Sequence, residues 1–319
     1  MVFSVYLPLL LTAAFGVAAP VVGRRLPPTV DTWLLSGGGL LAAVGSSASL
    51  GLLAFQYVAQ APILAARGRW SDTVLHHVDP VSAPMGCAAT VAVAVLATRF
   101  VYTATHRLIA VRDAYRLAQS LPNTGSELSV LDTTDTQAYA VPGRPGRIVV
   151  TSGLLRRLDA GQRRALLAHE RAHLDPHHDL HHTVTHLAAA VNPLLGRLPA
   201  AAELSCERWA DEDAARLCRR DTVADALTRV ATSGRLPGLA VALRVAGGDV
   251  TDRISALRAP APRLVLWRVA LLVGLLAATA IAVAEAMHDT ERLFELAQSA
   301  YPRAVLLAAH TPRRSVPGG

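Results

Sequence analysis

Residues 138–176, AYAVPGRPGRIVVTSGLLRRLDAGQRRALLAHERAHLDP, decide the fold of this chain. Ala138–Val141 and Arg147–Thr151 are short apolar runs, and the Pro- and Gly-rich stretch between them predicts a hairpin turn. Leu128–Leu131 has the same character and predicts a third strand. After Gly153 the apolar residues recur at helical spacing, so we expect a small sheet followed by helices.

The first predicted helix covers residues 160–175. Asp159 is placed as its N-cap, and Gln162 three residues on completes a capping box. Pro176 ends the helix, because the residue before a proline disfavours helical geometry. Further helices are predicted downstream, two of them with an aspartate as N-cap: residues 180–191, 201–220, 222–232 (after Asp221) and 250–257 (after Asp249).

This predicted helix carries an HExxH motif, His169-Glu170-Arg171-Ala172-His173. Four residues make about one helical turn, so both imidazoles project from one face, where a zinc ion at roughly 2.0–2.1 Å from each nitrogen can bridge them. Glu170 lies about 100° round the helix and can reach a water beside the metal. HExxH on a helix is typical of metalloproteases, and it predicts one Zn²⁺ per chain with Glu170 as general base.

A catalytic zinc ion needs a third protein ligand and one open position. The metzincin arrangement is excluded, because Pro176 and Asp179 stand where it requires Gly and His. Downstream, Glu207 and Asp211 lie one helical turn apart in the order ExxAD. We expect Glu207 to ligate the metal and Asp211 to accept the ring N–H of a ligand histidine. Glu203, one turn earlier on the same face, is the alternative ligand.

The stretch after the motif allows two interpretations. Five histidines between residues 177 and 186 are compatible with a second metal site, but we favour solvated or supporting roles for them. Residues 183–198 are apolar enough to touch a bilayer, although Asn192-Pro193 breaks the run and argues against a span.

Composition indicates a membrane protein. The 319 residues are 52% hydrophobic and only 17% charged, which is unlike a soluble enzyme. The first apolar stretch has no Lys or Arg ahead of it, so we expect an uncleaved span and not a signal peptide. Four stretches approach the roughly 20 residues that a spanning helix needs: residues 2–22, 33–57, 81–102 and 264–284.

The positions of the arginines predict the orientation. The net charge is +7, no Lys occurs, and arginines follow the first and third apolar stretches and precede the fourth. The positive-inside rule therefore puts residues 23–32 and 105–262 in the cytoplasm. Because the arginines are scattered and adjoin spans, we expect a lipid bilayer and no direct nucleic acid as partner. The three cysteines form no CxxC pair, which argues against a disulfide framework.

Four segments in order resemble the integral-membrane gluzincin peptidases: AYAVPGRPGRIVVTSGLLRRL, LLAHERAHL, VNPLL and ERWADEDAA. This group comprises the HtpX and prenyl-protein-protease type and the BlaR/MecR-type antibiotic-sensor peptidases, and the similarity covers roughly residues 105–260. The resemblance implies His169, His173 and Glu207 as zinc ligands, Glu170 as base and Asp211 as support for a ligand. It also implies a supporting role for His178, at a position where the family often has Asp or His.

Spacing brings the chain closest to a compact BlaR/MecR-like peptidase without a sensor domain. Only 33 residues separate His173 from Glu207, too few for the hydrophobic hairpin of the HtpX type. The penicillin-binding domain of the BlaR/MecR type has no counterpart after the fourth apolar stretch, so we expect no direct β-lactam sensing. BlaR-like proteins end their motif as ExxCD, which Glu203-Leu204-Ser205-Cys206-Glu207 imitates, and this keeps Glu203 open.

Together these patterns predict a mainly α, multi-pass cell-membrane protein with about four transmembrane helices and a cytoplasmic α+β zincin-like domain. The expected activity is zinc-dependent cleavage of cytoplasmic or membrane proteins, for quality control or for regulation through a cytoplasmic transcriptional repressor. An extended substrate is expected to pair with the edge of the sheet along Arg147–Thr151. The predicted domains are residues 1–104 (three spans), 105–262 (metallopeptidase), 263–286 (fourth span) and 287–319 (short extracytoplasmic tail).

The alternative function is a catalytically idle, zinc-binding membrane receptor or scaffold. A structural metal site needs no base beside the ion, so the intact Glu170 argues for an enzyme.

Overall fold

A computed structural model describes residues 2–78, 81–120, 126–141, 143, 146–174, 176–233 and 247–310. These residues are mostly helical, with one small sheet. The chain divides into two compact units. The apolar unit comprises Met1–Phe15, Leu41–Arg99 and Gly274–Gly319, and the sheet-containing unit comprises Gly16–Leu40 and Phe100–Val273.

Seven helices supply the long apolar segments and the short connections between them. They are α1 (Val2–Gly23), α2 (Pro28–Trp33), α3 (Gly39–Ala59), α4 (Pro62–Gly68), α5 (Asp72–Val78), α6 (Ala83–Ser120) and, after the sheet-containing segment, α13 (Leu266–His310). A π-helical turn, Leu34–Gly38, joins α2 directly to α3. Among the described residues, four helices are long and apolar enough to cross a membrane: Val5–Gly23, Pro28–Ala59, Ala83–Ser120 and Leu266–Pro302.

These four helices confirm the four apolar stretches seen in the sequence as candidate spans. Two of the helices run well past the predicted ends, α6 to Ser120 and α13 to His310. Within the apolar unit, small and aliphatic side chains of these helices form a common core, for example Leu53, Ala89 and Ala286. A buried hydrogen bond from Gln56 Nε2 to Thr290 Oγ1, 2.9 Å long, links α3 to α13.

The sheet-containing unit begins with β1 (Leu128–Leu131), β2 (Ala138–Val141) and β3 (Arg147–Thr151), which confirm the three predicted strands. Their order in the sheet is β1-β3-β2, with β1 parallel and β2 antiparallel to β3. The expectation that a substrate pairs along β3 is therefore wrong, because both edges of β3 are occupied. All five residues of β3 are buried, as an apolar strand at the centre of a sheet requires.

The helices after the sheet are α7 (Ser152–Arg157), α8 (Ala160–His173), α9 (Pro176–Val191), α10 (Leu198–Leu217), α11 (Arg220–Ser233) and α12 (Gly247–Arg258), with a 3₁₀ turn at Pro193–Leu195. The predicted capping box of α8 is confirmed: Gln162 N donates to Asp159 Oδ1 at 2.8 Å, and Asp159 N donates to Gln162 Oε1 at 3.2 Å. Asp221 and Asp249 were expected to be N-caps, but both lie inside helices that begin earlier, at Arg220 and Gly247. The sequence pattern predicted that these two helices exist, but it placed their first residues too late in the chain.

Helix α8 packs on one face of the sheet and α6 on the other. Ile148, Val150 and Leu166 belong to the core on the α8 side, whereas Val149 and Ala118 form the core on the α6 side. This alternation follows from the two-residue period of β3. It fixes α8, and with it the HExxH motif, against the face of the sheet.

Helix α10 lies at the centre of the unit, against α2, α8, α9 and α12. Polar contacts join it and α9 to the start of the second candidate span. Thr32 Oγ1 donates to Ser205 Oγ at 3.0 Å, and Ser36 Oγ lies 2.7 Å from His181 Nδ1. The segment Gly16–Leu40 is thus part of the sheet-containing unit and not only a membrane anchor.

Candidate metal centre

The two histidines of the motif meet on one face of α8. His169 Nε2 and His173 Nε2 are 3.1 Å apart, and both rings are largely buried. The four-residue separation makes this possible, since it brings the side chains one turn apart on the same face. The buried Glu170 lies between them in sequence, on the side of the helix that faces β2.

Glu207 approaches the same point from α10. Its Oε1 is 3.3 Å from His173 Nε2, and its Oε2 is 3.5 Å from His169 Nε2. Donor atoms bound at about 2.0–2.1 Å in a tetrahedron are ~3.3–3.4 Å apart, so these three side chains fit a zinc ion. Among the described residues, His169, His173 and Glu207 are the one group of three potential ligands close enough to share an ion.

Asp211 lies one turn further along α10 and contacts the other nitrogen of the first histidine. Its Oδ1 is 3.0 Å from His169 Nδ1, and the carboxylate is buried. A carboxylate at this nitrogen holds the proton on Nδ1 and leaves Nε2 to face Glu207. The supporting role of Asp211 in metal binding stays a prediction.

His178 is buried beneath the second histidine. Its Nδ1 is 3.2 Å from His173 Nδ1, and its ring packs on Trp209 with 5.0 Å between ring centroids. It therefore contacts the nitrogen of His173 that faces away from Glu207. One of the two rings donates this hydrogen bond and the other accepts it, which restricts the orientation of His173.

Sequence reasoning missed Arg253, on α12. Its Nη1 is 2.6 Å from Glu207 Oε2, and it donates to Asp211 through Nε and Nη2, both at 2.8 Å. Arg253 as a whole is 8% exposed, so these charge pairs are shielded from water. The helical period could have predicted that Arg253 is buried. It lies four residues before the apolar Leu257 and so shares the buried face of the helix.

Arg253 makes the largest contribution to keeping the two acidic side chains charged. Burial alone would raise the pKa of Glu207, but the charge of Arg253, together with the interactions with His173 and His169, holds this pKa well below its usual value. Burial also acts to raise the pKa of Asp211, and the hydrogen bonds and charge of Arg253, together with those of His169, lower it overall. Both carboxylates are therefore ionised near neutral pH.

The other titratable groups of the site are shifted in different directions. Burial opposes the charged form of His169, but the hydrogen bonds to Asp211 and Glu207 and the charges of these two carboxylates together raise its pKa to about 10. Burial lowers the pKa of His173 to about 4. Burial also raises the pKa of Glu170 to about 7, which is in the range suited to a general base near neutral pH.

The edge strand β2 borders the site. The backbone N–H of Ala140 donates to the Glu170 carboxylate. Thr151 N donates to Gln137 O at 3.0 Å, so residues 137, 139 and 141 direct their backbone groups towards β3. The backbone groups of Ala138 and Ala140 consequently point to the opposite edge, which pairs with no other strand among the described residues.

Glu203 belongs to a different group of charges. Its charge interacts with that of Arg107 on α6, as does the charge of Asp179 on α9. Within the described part of the chain it is not one of the three residues that share the candidate metal position. The second metal site considered for the histidines after Pro176 likewise has no group of three close ligands there.

Comparison with known proteins agrees with a metallopeptidase. Residues 105–204 match the model of Peptidase family M48. The matched residues include the HExxH motif but end before Glu207, so Asp211 and Arg253 also lie outside them. No curated protein and no solved structure shows significant similarity to the chain.

Proposed function

We propose that the chain is a membrane-embedded, zinc-dependent endopeptidase whose active site is formed by α8, α10 and α12. One observation carries the proposal: two histidine nitrogens and the carboxylate oxygens of Glu207 lie 3.1–3.5 Å apart, close enough to share a zinc ion, with the acid Glu170 beside them. The match of residues 105–204 to Peptidase family M48 supports it independently.

His169, His173 and Glu207 would hold the ion, with Asp211 and His178 orienting the two imidazoles. A zinc ion held by three protein ligands supplies Lewis acidity, which polarises a peptide carbonyl and lowers the pKa of water. The chemistry of the donor set fits this ion, because imidazole and carboxylate are its usual ligands in hydrolases.

Glu170 is the proposed general base. Its carboxylate takes the proton of the attacking water and later passes it to the leaving amine. Burial supports this exchange because it weakens the preference of Glu170 for the charged form and raises its pKa to about 7. Asp211 and Arg253 do not exchange protons with substrate in this scheme; they hold His169 and Glu207 in place.

The substrate backbone is proposed to pair with the edge of β2. Ala138 presents its N–H and C=O groups at this edge and Ala140 its C=O group, while the N–H of Ala140 reaches Glu170. An extended peptide bound there would pass directly beside the base. Backbone pairing gives affinity with little dependence on side chains, which suits a protease that accepts several sequences.

We place the active site on the cytoplasmic side, following the arginine distribution. A site anchored at the bilayer favours substrates that lie in the membrane or come close to its surface. Regulatory cleavage of a transcriptional repressor and turnover of membrane proteins are both compatible with this position. The short connection between the two motifs favours a compact enzyme similar to the BlaR/MecR type.

The test compares wild type, Glu170→Gln and a matched control, Glu295→Gln, which removes one exposed acid on α13. Each full-length protein is reconstituted with zinc and incubated with β-casein, and new N-termini are identified by mass spectrometry. We expect wild type and the control to cleave. Glu170→Gln should retain its zinc and lose at least about 100-fold in rate, the contribution typical of a general base.

The same comparison in cells identifies the substrate class. Proteins that accumulate uncut in cells with Glu170→Gln, and are cut in cells with wild type, are candidate substrates. Zinc-loaded wild type that generates no new N-termini in either setting would favour the idle receptor or scaffold. Equal cleavage by wild type and Glu170→Gln would remove Glu170 from the mechanism.

A further inference from the structure

Two arginine side chains from other elements contact the short loop between the first two candidate spans, which itself contains two arginines. Arg208 Nη1, from α10, donates to the backbone oxygen of Arg24 at 3.0 Å. Arg268 Nη1, from the start of α13, donates to the backbone oxygen of Arg25 at 2.9 Å. Arg24, Arg25, Arg208 and Arg268 are termed here the arginine cluster. All four belong to the sheet-containing unit.

The arginine cluster lies where apolar segments begin and end. The first candidate span ends at Gly23, the second begins at Pro28, and the fourth begins at Leu266. Trp267 is 63% exposed, and the guanidinium carbon of Arg268 is 5.4 Å from the centre of its ring. Tryptophan and arginine side chains are typical of the headgroup level of a bilayer, where an apolar ring and a charge are both satisfied.

Positive charge is in excess at this position. Each of the two backbone contacts uses one of the five N–H donors of its guanidinium group. The nearby carboxylates are Asp252, 3.9 Å from Arg24, and Asp31, a buried residue whose charge acts on Arg24 and Arg208. The Arg24–Asp252 pair is weak, because both side chains are about 60% exposed. Within the described part of the chain, four arginines thus face two carboxylates, one of them buried.

We propose that the arginine cluster binds the phosphate group of an anionic lipid. Phosphate oxygens accept the charge-assisted hydrogen bonds that guanidinium groups donate, and they balance the excess positive charge. The position at the ends of three spans, together with the exposed ring of Trp267, points to a phosphate attached to an acyl chain. This inference does not depend on the proposed peptidase activity.

The experiment uses full-length protein in a neutral detergent and measures lipid binding by native mass spectrometry. Dioleoyl phosphatidylglycerol is titrated against dioleoyl phosphatidylcholine, and inorganic phosphate is titrated separately. We expect saturable binding of phosphatidylglycerol, at least about tenfold tighter than binding of phosphatidylcholine. Each interfacial arginine contributes about fivefold to such binding, so Arg25→Gln/Arg268→Gln should weaken it about 25-fold.

The matched control is Arg156→Gln/Arg164→Gln, which removes two exposed arginines from α7 and α8. It should bind phosphatidylglycerol as wild type does. If the double variant of the cluster does not fold, the single variant Arg25→Gln should still show about a fivefold loss. Equal affinity for the two lipids, equal losses in the two double variants, or inorganic phosphate bound as tightly as phosphatidylglycerol would each overturn the proposal.

Discussion

Arg253 binds Asp211 through two parallel hydrogen bonds, Nε to Oδ2 and Nη2 to Oδ1, each 2.8 Å long. The third nitrogen of the same guanidinium group lies 2.6 Å from Glu207 Oε2. The buried guanidinium group of Arg253 therefore contacts both Asp211, which hydrogen-bonds His169, and Glu207, the candidate third ligand. The planar fork of arginine is suited to this task, since it can hold two carboxylates at fixed positions.

Replacing Arg253 is expected to weaken the metal site without removing a ligand. Arg253→Ala removes the buried positive charge that contacts Asp211 and Glu207, which should lower the free energy of unfolding by about 3–5 kcal/mol. We expect zinc affinity to fall roughly 10–100-fold, which is the typical effect of losing a residue that holds a metal ligand in place. Arg253→Lys keeps the charge but not the fork, and its affinity should lie between those of wild type and Arg253→Ala.

Zinc affinity is measured by competition with a chelator and stability by thermal denaturation. The control is Arg258→Ala, an exposed residue one turn further along α12, which should change neither. If Arg253→Ala bound zinc as tightly as wild type, the two contacts to Glu207 and Asp211 would have no part in forming the site.

Zinc binding is expected to release one proton from His169. In the metal-free site this ring holds a proton between Asp211 and Glu207, and its pKa is raised to about 10. A ligand nitrogen must be unprotonated, so the proton leaves when the metal enters. Zinc affinity should therefore rise with pH, by about tenfold per unit, as long as the pH stays below this pKa.

Titration calorimetry at pH 8, in two buffers of different ionisation enthalpy, counts the protons. At this pH Glu170 and His173 are mostly deprotonated already, because their pKa values are about 7 and about 4. We expect wild type to release at least one proton per zinc, and more than Asp211→Asn, which removes the charge that holds the proton on His169. Binding without proton release by wild type would contradict the protonated state of His169.

Local signals predicted much of the fold. The three strands and the start of α8 follow from short apolar runs, turn residues and the Asp159–Gln162 capping box, all of which act within a few residues. The order of the strands was not predictable in this way. It depends on where β1 joins the sheet, and a parallel partner far along the chain leaves no local signal.

In the candidate site, too, contacts within one helix were predictable from the sequence, and the contacts of Arg253, on a distant helix, were not. The spacing of His169 and His173 on one helix predicts that they meet, and Glu207 with Asp211 repeats that spacing on a second helix. Arg253 comes from a third helix, beyond a stretch of the chain that is not described. Only the packing of α12 against α10 shows that its charge falls beside Glu207.

The orientation of the chain makes a prediction of its own. A reporter that is active only outside the membrane should be silent when fused after Arg116 or Ala259, and active when fused after Asp72. The physical reason is that arginine-rich connections stay on the cytoplasmic side. A reporter active only inside should give the reverse pattern at the same three positions. Activity of the outside reporter at Arg116 and Ala259 would place the proposed active site outside the cell.

The choice of third ligand separates two glutamates one turn apart on α10. Glu207 lies within 3.3 Å of His173 Nε2, whereas the charge of Glu203 interacts with that of Arg107. Glu207→Ala should therefore remove most of the zinc and all proteolysis, and Glu203→Ala should leave the metal content near normal. Asp211→Ala should fall between them, with a loss of roughly 10–100-fold in affinity or activity. Metal analysis of the three purified variants decides the matter: zinc lost from Glu203→Ala but kept by Glu207→Ala would make Glu203 the ligand, in the register of the BlaR-like motif.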